Sequence, residues 1–167
     1  MQIFIATVLS HVPAWVWVIL AFIALMGWLQ SRDQQPSRAR VLILPLLWAG
    51  FGAWGIQNTF GLTLMPWLAW AAGLLLGAGL IIHSGWPGLA GFNPSRQRFF
   101  VPGSWLPLAL MLGIFLGKFA LGMSLALHAE LAGSTSFAVG FSSFFGLLGG
   151  VFLGRSRNIL RCATIKR

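Results

Sequence analysis

Long apolar stretches alternate with short polar ones along the whole chain, and the spacing predicts five helices. We place them near 13–30, 41–58, 64–83, 105–127 and 136–154. Each is close to the roughly 20 residues that carry a helix across a bilayer. Pro13 and Pro66 fall where a first helical turn tolerates proline, whose missing N–H has no partner there anyway. Between the third and fourth apolar stretches, "GFNPSRQRFFVPGS" sets Asn-Pro-Ser-Arg between two short apolar pieces. This predicts a small hairpin-like loop near 88–103.

Small residues recur along the predicted helices at the spacing that builds one face. Ser142, Gly146, Gly150 and Gly154 are each four apart, the fourth helix carries Ala109, Gly113, Gly117, Ala120 and Ser124, and the third has Gly73 and Gly77. In lipid, helices associate where small side chains let backbones approach, so these ridges predict packing within the bundle, with a homodimer seam as the alternative.

Composition agrees with this layout. The 167-residue chain is 57% hydrophobic and only 8% charged, against about 25% in soluble domains. The expected class is an all-α integral membrane protein with one transmembrane domain. No Lys or Arg precedes the first apolar run, so the basic region of a cleaved signal peptide is missing and the first helix is expected to persist.

The net charge of +9 raises the question of nucleic acid, and its distribution answers it. Arg32, Arg38 and Arg40 follow the first helix, Arg96 and Arg98 lie in the hairpin-like loop, and Arg155, Arg157, Arg161, Lys166 and Arg167 form the end. An odd number of spans puts all three groups on one side, and the positive-inside rule makes that side cytoplasmic. The expectation is N-terminus out, C-terminus in, with 155–167 a basic cytoplasmic tail. Trp15, Trp17, Trp54, Trp67 and Trp70 near one boundary, and Trp28, Trp86 and Trp105 near the other, fit an aromatic belt. Arg96, Arg98, Arg155, Arg157 and Trp105 are the expected contacts to anionic headgroups, and no nucleic-acid partner is expected.

The eleventh basic residue, Lys118, stands in the middle of "WLPLALMLGIFLGKFALGMSLALHAE". Its helical face carries Met111, Ile114, Phe115, Leu121, Gly122 and Leu125. Its side chain leans toward the helix N-terminus, about 20 Å from that end, too far for the amine to reach the surface. An unpaired ammonium at that depth costs roughly 2.5–3.5 kcal/mol on insertion scales. Ser142 and Ser143 of the fifth helix match its depth and are its candidate polar partners. Lys118 then either fixes helix register in a polar pocket or marks a ligand, proton or anion site.

Other chemistry is sparse. His11, His128 and Glu130 on the outer side are weak candidates for a metal, since no spacing sets two of them on one helical face. Cys162 is the sole cysteine, and the chain has only two acids, Asp33 and Glu130, too few for general acid–base work. No phosphate-binding glycine loop or nucleophile motif is present, so no enzymatic activity and no cofactor are expected.

Three stretches, "HVPAWVWVIL", "FFVPGSWLPLALMLGIFLGKFALG" and "FGLLGGVFLGR", together resemble an uncharacterised family of small bacterial multi-pass inner-membrane proteins, a domain of unknown function. The most specific part is PGSWLPL followed by a Lys-aromatic pair, here Lys118 and Phe119. Family members commonly have Thr in place of Val12 and Tyr in place of Phe119. The resemblance implies a protein of the bacterial inner membrane and adds no chemistry. The reading is a structural or interaction component that engages a membrane partner or a second copy. The alternative is a small-solute or proton-linked carrier using Lys118.

Overall fold

The computed structural model describes residues 14–88, 90–94 and 96–164. Among these residues there are five α-helices: α1 Ala14–Gln30, α2 Arg38–Phe60, α3 Leu64–Ser84, α4 Leu106–Leu127 and α5 Thr135–Thr164. Between α3 and α4, β1 Gly91–Asn93 and β2 Arg98–Phe100 form the antiparallel hairpin that the loop grammar predicts, with Phe92 opposite Phe99. A short 3-10 turn, Ala129–Gly133, links α4 to α5. Four of the helices, α2 to α5, are long and apolar enough to cross a membrane, while the apolar part of α1, Val16–Gln30, is shorter. Their outward faces carry large apolar side chains, as a lipid environment requires.

Local chemistry sets the ends. Ser37 caps α2, its hydroxyl accepting from the Arg40 N–H, so the helix starts three residues before the apolar run does. Gly61 and Gly85, both at φ +69°, turn the chain out of α2 and α3, where a side chain would be strained. Pro45 sits inside α2 and has no N–H for the carbonyl of Val41. The hydroxyl of Ser156 on α5 donates to that carbonyl instead, at 2.7 Å.

The small-residue ridges meet inside the chain. A Cβ on Gly146 or Gly150 would strike the carbonyl oxygen of Trp70 or Leu74, and one on Gly154 would lie 2.7 Å from that of Ala78. Reciprocally, Gly73 and Gly77 face the carbonyls of Ser143 and Leu147. The seam between α3 and α5 is therefore backbone against backbone, the close approach that small residues permit. Gly117 of α4 receives Phe144 and Phe145 of α5, and Gly27 of α1 receives Leu108 of α4.

At one end of the bundle the hairpin is built into the fold. Gln34 bridges to Val101 and Ser37 to Arg98, which joins the α1–α2 connection to β2. Phe99 is fully buried in a cluster with Val41, Val101 and Ile159. Ile159 belongs to the segment expected as a basic tail, and here the structure differs from the sequence reading. Residues 155–164 continue α5, because Ile159, Leu160 and Ala163 recur on one face and dock on the hairpin. Asn158 adds a polar reason, donating from one amide nitrogen to the carbonyls of Ile81 at 2.8 Å and Trp86 at 2.9 Å, where α3 ends.

Candidate functional site

Lys118 lies half-buried at the meeting of α2, α4 and α5. Its Nζ is 4.6 Å from the centroid of the Phe145 ring, a cation–π geometry. On the other side it presses on Gly55, where a Cβ would lie 2.6 Å from the amine. That cation–π contact is the only polar pairing of Lys118 among the described residues, none of which gives it a hydrogen bond or ion pair. It also lines a cavity of about 460 Å³ between α1, α2 and α4. Met111, Ile114 and Phe115 line the same cavity, as their shared helical face with Lys118 predicts.

The serine partners are not where the sequence reading put them. Ser142 is completely buried, but its hydroxyl has no hydrogen-bond partner and so makes none with Lys118. It stands one turn before Gly146 on the ridge that faces α3. The carbonyl of Ser143 packs on Gly73 in the same seam. Depth along a helix follows from residue counting, whereas rotation about its axis follows from packing, and the packing sets Ser142 on the ridge toward α3 with the backbone of Ser143 in the same seam.

A second polar feature lies at the hairpin end. A pocket of about 90 Å³ is lined by Gln30, Gln34, Arg40, Arg155 and Ser156 above an apolar floor that includes Met111 and Phe152. Met111 is thus a wall common to both cavities. The Nε of Arg155 is buried without a hydrogen-bond partner, while its guanidinium stacks 4.8 Å from the Trp86 ring centroid. The Ser156 hydroxyl is taken by the carbonyl of Val41 and one N–H of the Gln34 amide by that of Leu29, so Arg40, Arg155 and Gln30 are the main side-chain donors that remain. Asp33 lies in the same region but accepts from the Gly103 N–H at 2.9 Å.

The other arginines are more constrained than free headgroup anchors. Arg98 donates to the Gln35 carbonyl at 3.1 Å, Arg38 covers the Phe92 ring and Arg32 the Trp28 ring. Arg96, Arg157 and Trp105 are exposed. At the opposite end His128 and Glu130 pair with each other at 3.0 Å, both exposed. His11 lies outside the described residues, and among those residues no three His, Cys, Asp or Glu side chains are grouped as a metal site requires.

The PGSWLPL stretch has a packing role that its residue types alone do not announce. Gly103 rests on the backbone of Ser31 and Arg32, the Ser104 N–H donates to the Gln30 carbonyl, and Pro107 is fully buried in the first turn of α4. The stretch latches the start of α4 to the end of α1.

Neither a comparison with curated proteins nor one with solved structures finds a match. The model of a family of unknown function, DUF6622, matches residues 1–167, and the chain therefore belongs to that family.

Proposed function

We propose that the protein is a non-enzymatic structural or interaction component of the bacterial inner membrane, crossing it five times with its N-terminus outside and its basic end in the cytoplasm. That end engages the anionic headgroups of the inner leaflet. The observation that carries this reading is the pocket of Arg40, Arg155 and Gln30, which offers donors and no carboxylate. About 90 Å³ is roughly three times the share of one water in the liquid, room for a phosphate oxyanion. The hairpin, the α1–α2 connection and the end of α5 hold this basic surface in a fixed shape, since all three meet around Phe99. The two acids support the non-enzymatic part: Asp33 serves Gly103 at one end and Glu130 serves His128 at the other.

The test is lipid retention by purified protein, read by native mass spectrometry. Phosphatidylglycerol should stay bound in preference to phosphatidylcholine, and Arg40→Gln should remove the tightest-held copy. Equal retention of both lipids would contradict the reading.

A carrier is the second reading, favoured by the position of Lys118 on the wall of the larger cavity. The five helices of the described residues do not divide into two like halves, the usual plan of such proteins, which is why it stands second.

A further inference from the structure

Lys118 combines three features that a merely structural lysine does not need. The cavity it lines is otherwise apolar apart from the edge of Trp48, with Ile23, Met26, Phe51 and Phe115 among its walls. At about 460 Å³ it falls inside the size range of small-molecule sites. The neighbouring position is Gly55, where any side chain would displace the amine. Lys118 thus lines the cavity with its flexible side chain while its amine rests between Gly55 and the Phe145 ring, and the described residues give it no hydrogen bond or ion pair. A cation in apolar surroundings is costly, and an opposite charge offsets that cost most fully. The chain has two acids, and both are engaged elsewhere, Asp33 with Gly103 and Glu130 with His128. The face of Phe145 supplies only part of what a carboxylate would.

Shape narrows the class of the missing anion. Along α4 the lining runs from Met111 to Phe119, about 12 Å at 1.5 Å per residue, with Lys118 near one end. An extended chain advances about 3.5 Å per three bonds, so about ten bonds match that length. A diacyl phospholipid keeps its charged head at the surface, whereas Lys118 lies nine residues before Leu127, about 13 Å along the helix. A single-chain acid can reach that depth in its protonated form and ionise there against a cation.

We propose that the cavity between α1, α2 and α4 binds a single-chain carboxylate amphiphile, its carboxylate on the Lys118 amine and its apolar chain along α4 toward Met111. The site meets the headgroup pocket only at the shared wall of Met111, and its charged partner, Lys118, is not part of that pocket.

The experiment uses the full chain in phosphatidylcholine nanodiscs, titrated with dodecanoate and with methyl dodecanoate, an ester of the same chain without the charge. Bound copies are counted by native mass spectrometry. The wild-type protein should bind one dodecanoate about tenfold more tightly than the ester, since the ion pair is made by the acid alone. Lys118→Met should hold both alike. Ile114→Trp, which keeps the cation and fills the cavity, should weaken both. Equal binding of acid and ester to the wild-type protein would overturn the proposal, and that comparison needs no variant to fold. So would a preference for the acid that survives in Lys118→Met, or binding of either ligand unchanged by Ile114→Trp.

Discussion

The hydroxyl of Ser156 on α5 donates a 2.7 Å hydrogen bond to the carbonyl of Val41 on α2, the carbonyl that Pro45 leaves without its helical donor. A proline inside a helix normally costs about 3 kcal/mol, part of it through this orphaned group. In an apolar setting no water takes its place, so another helix must. The bond therefore ties α2 to the extension of α5 and helps to fix where the basic end packs.

Ser156→Ala should destabilise the protein by about 1–3 kcal/mol, the range for a buried acceptor left unmade. Pro45→Ala restores an N–H to Val41, so in that background Ser156→Ala should cost less than half as much. Thermal unfolding in detergent of the two single variants and the double variant measures the coupling. Additive effects would show that the hydroxyl is not serving the proline gap.

Gly150 and Gly79 separate packing from helix propensity. At Gly150 a methyl group meets the carbonyl of Leu74, which belongs to backbone and cannot move aside. At Gly79, on the exposed side of α3, nothing lies within 4 Å of the same added atom. Gly79→Ala should therefore be neutral or stabilising by up to about 1 kcal/mol. Gly150→Ala should lose at least about 2 kcal/mol by overpacking, read from the same melts.

Ser142 has the opposite expectation to a site residue. Its hydroxyl is fully buried and makes no hydrogen bond, a cost of about 1–3 kcal/mol against a smaller apolar group. Ser142→Ala should raise the melting temperature and leave dodecanoate binding unchanged. A fall in binding would return Ser142 to the Lys118 site.

Much of the architecture was legible in the sequence because one physical rule governs it. Apolar runs of bilayer length must be helices, and the Asn-Pro-Ser-Arg turn between short apolar pieces marks the hairpin. The extension of α5 was not legible. Arg155, Arg157 and Arg161 interrupt Ile159, Leu160 and Ala163, and the apolar face acquires a partner only once Phe99 and Val101 of the hairpin are in place. Lys118 announces itself as a charge in a run of apolar residues, yet its neighbours Gly55 and Phe145 come from other helices. Their contact depends on how each helix is rotated. The ridge at Ser142, Gly146, Gly150 and Gly154 held that information, since a serine in line with three packing glycines faces the seam and not the lysine.

The sidedness of the chain tests the central claim most directly. In a Cys162→Ser background, single cysteines at Gln2→Cys, Gln35→Cys and Ala132→Cys can be labelled with a membrane-impermeant maleimide in spheroplasts and in inverted vesicles. An odd number of crossings with the arginines inside predicts that residues 2 and 132 react in spheroplasts and residue 35 only in inverted vesicles. Labelling of residues 2 and 35 from the same side would contradict it.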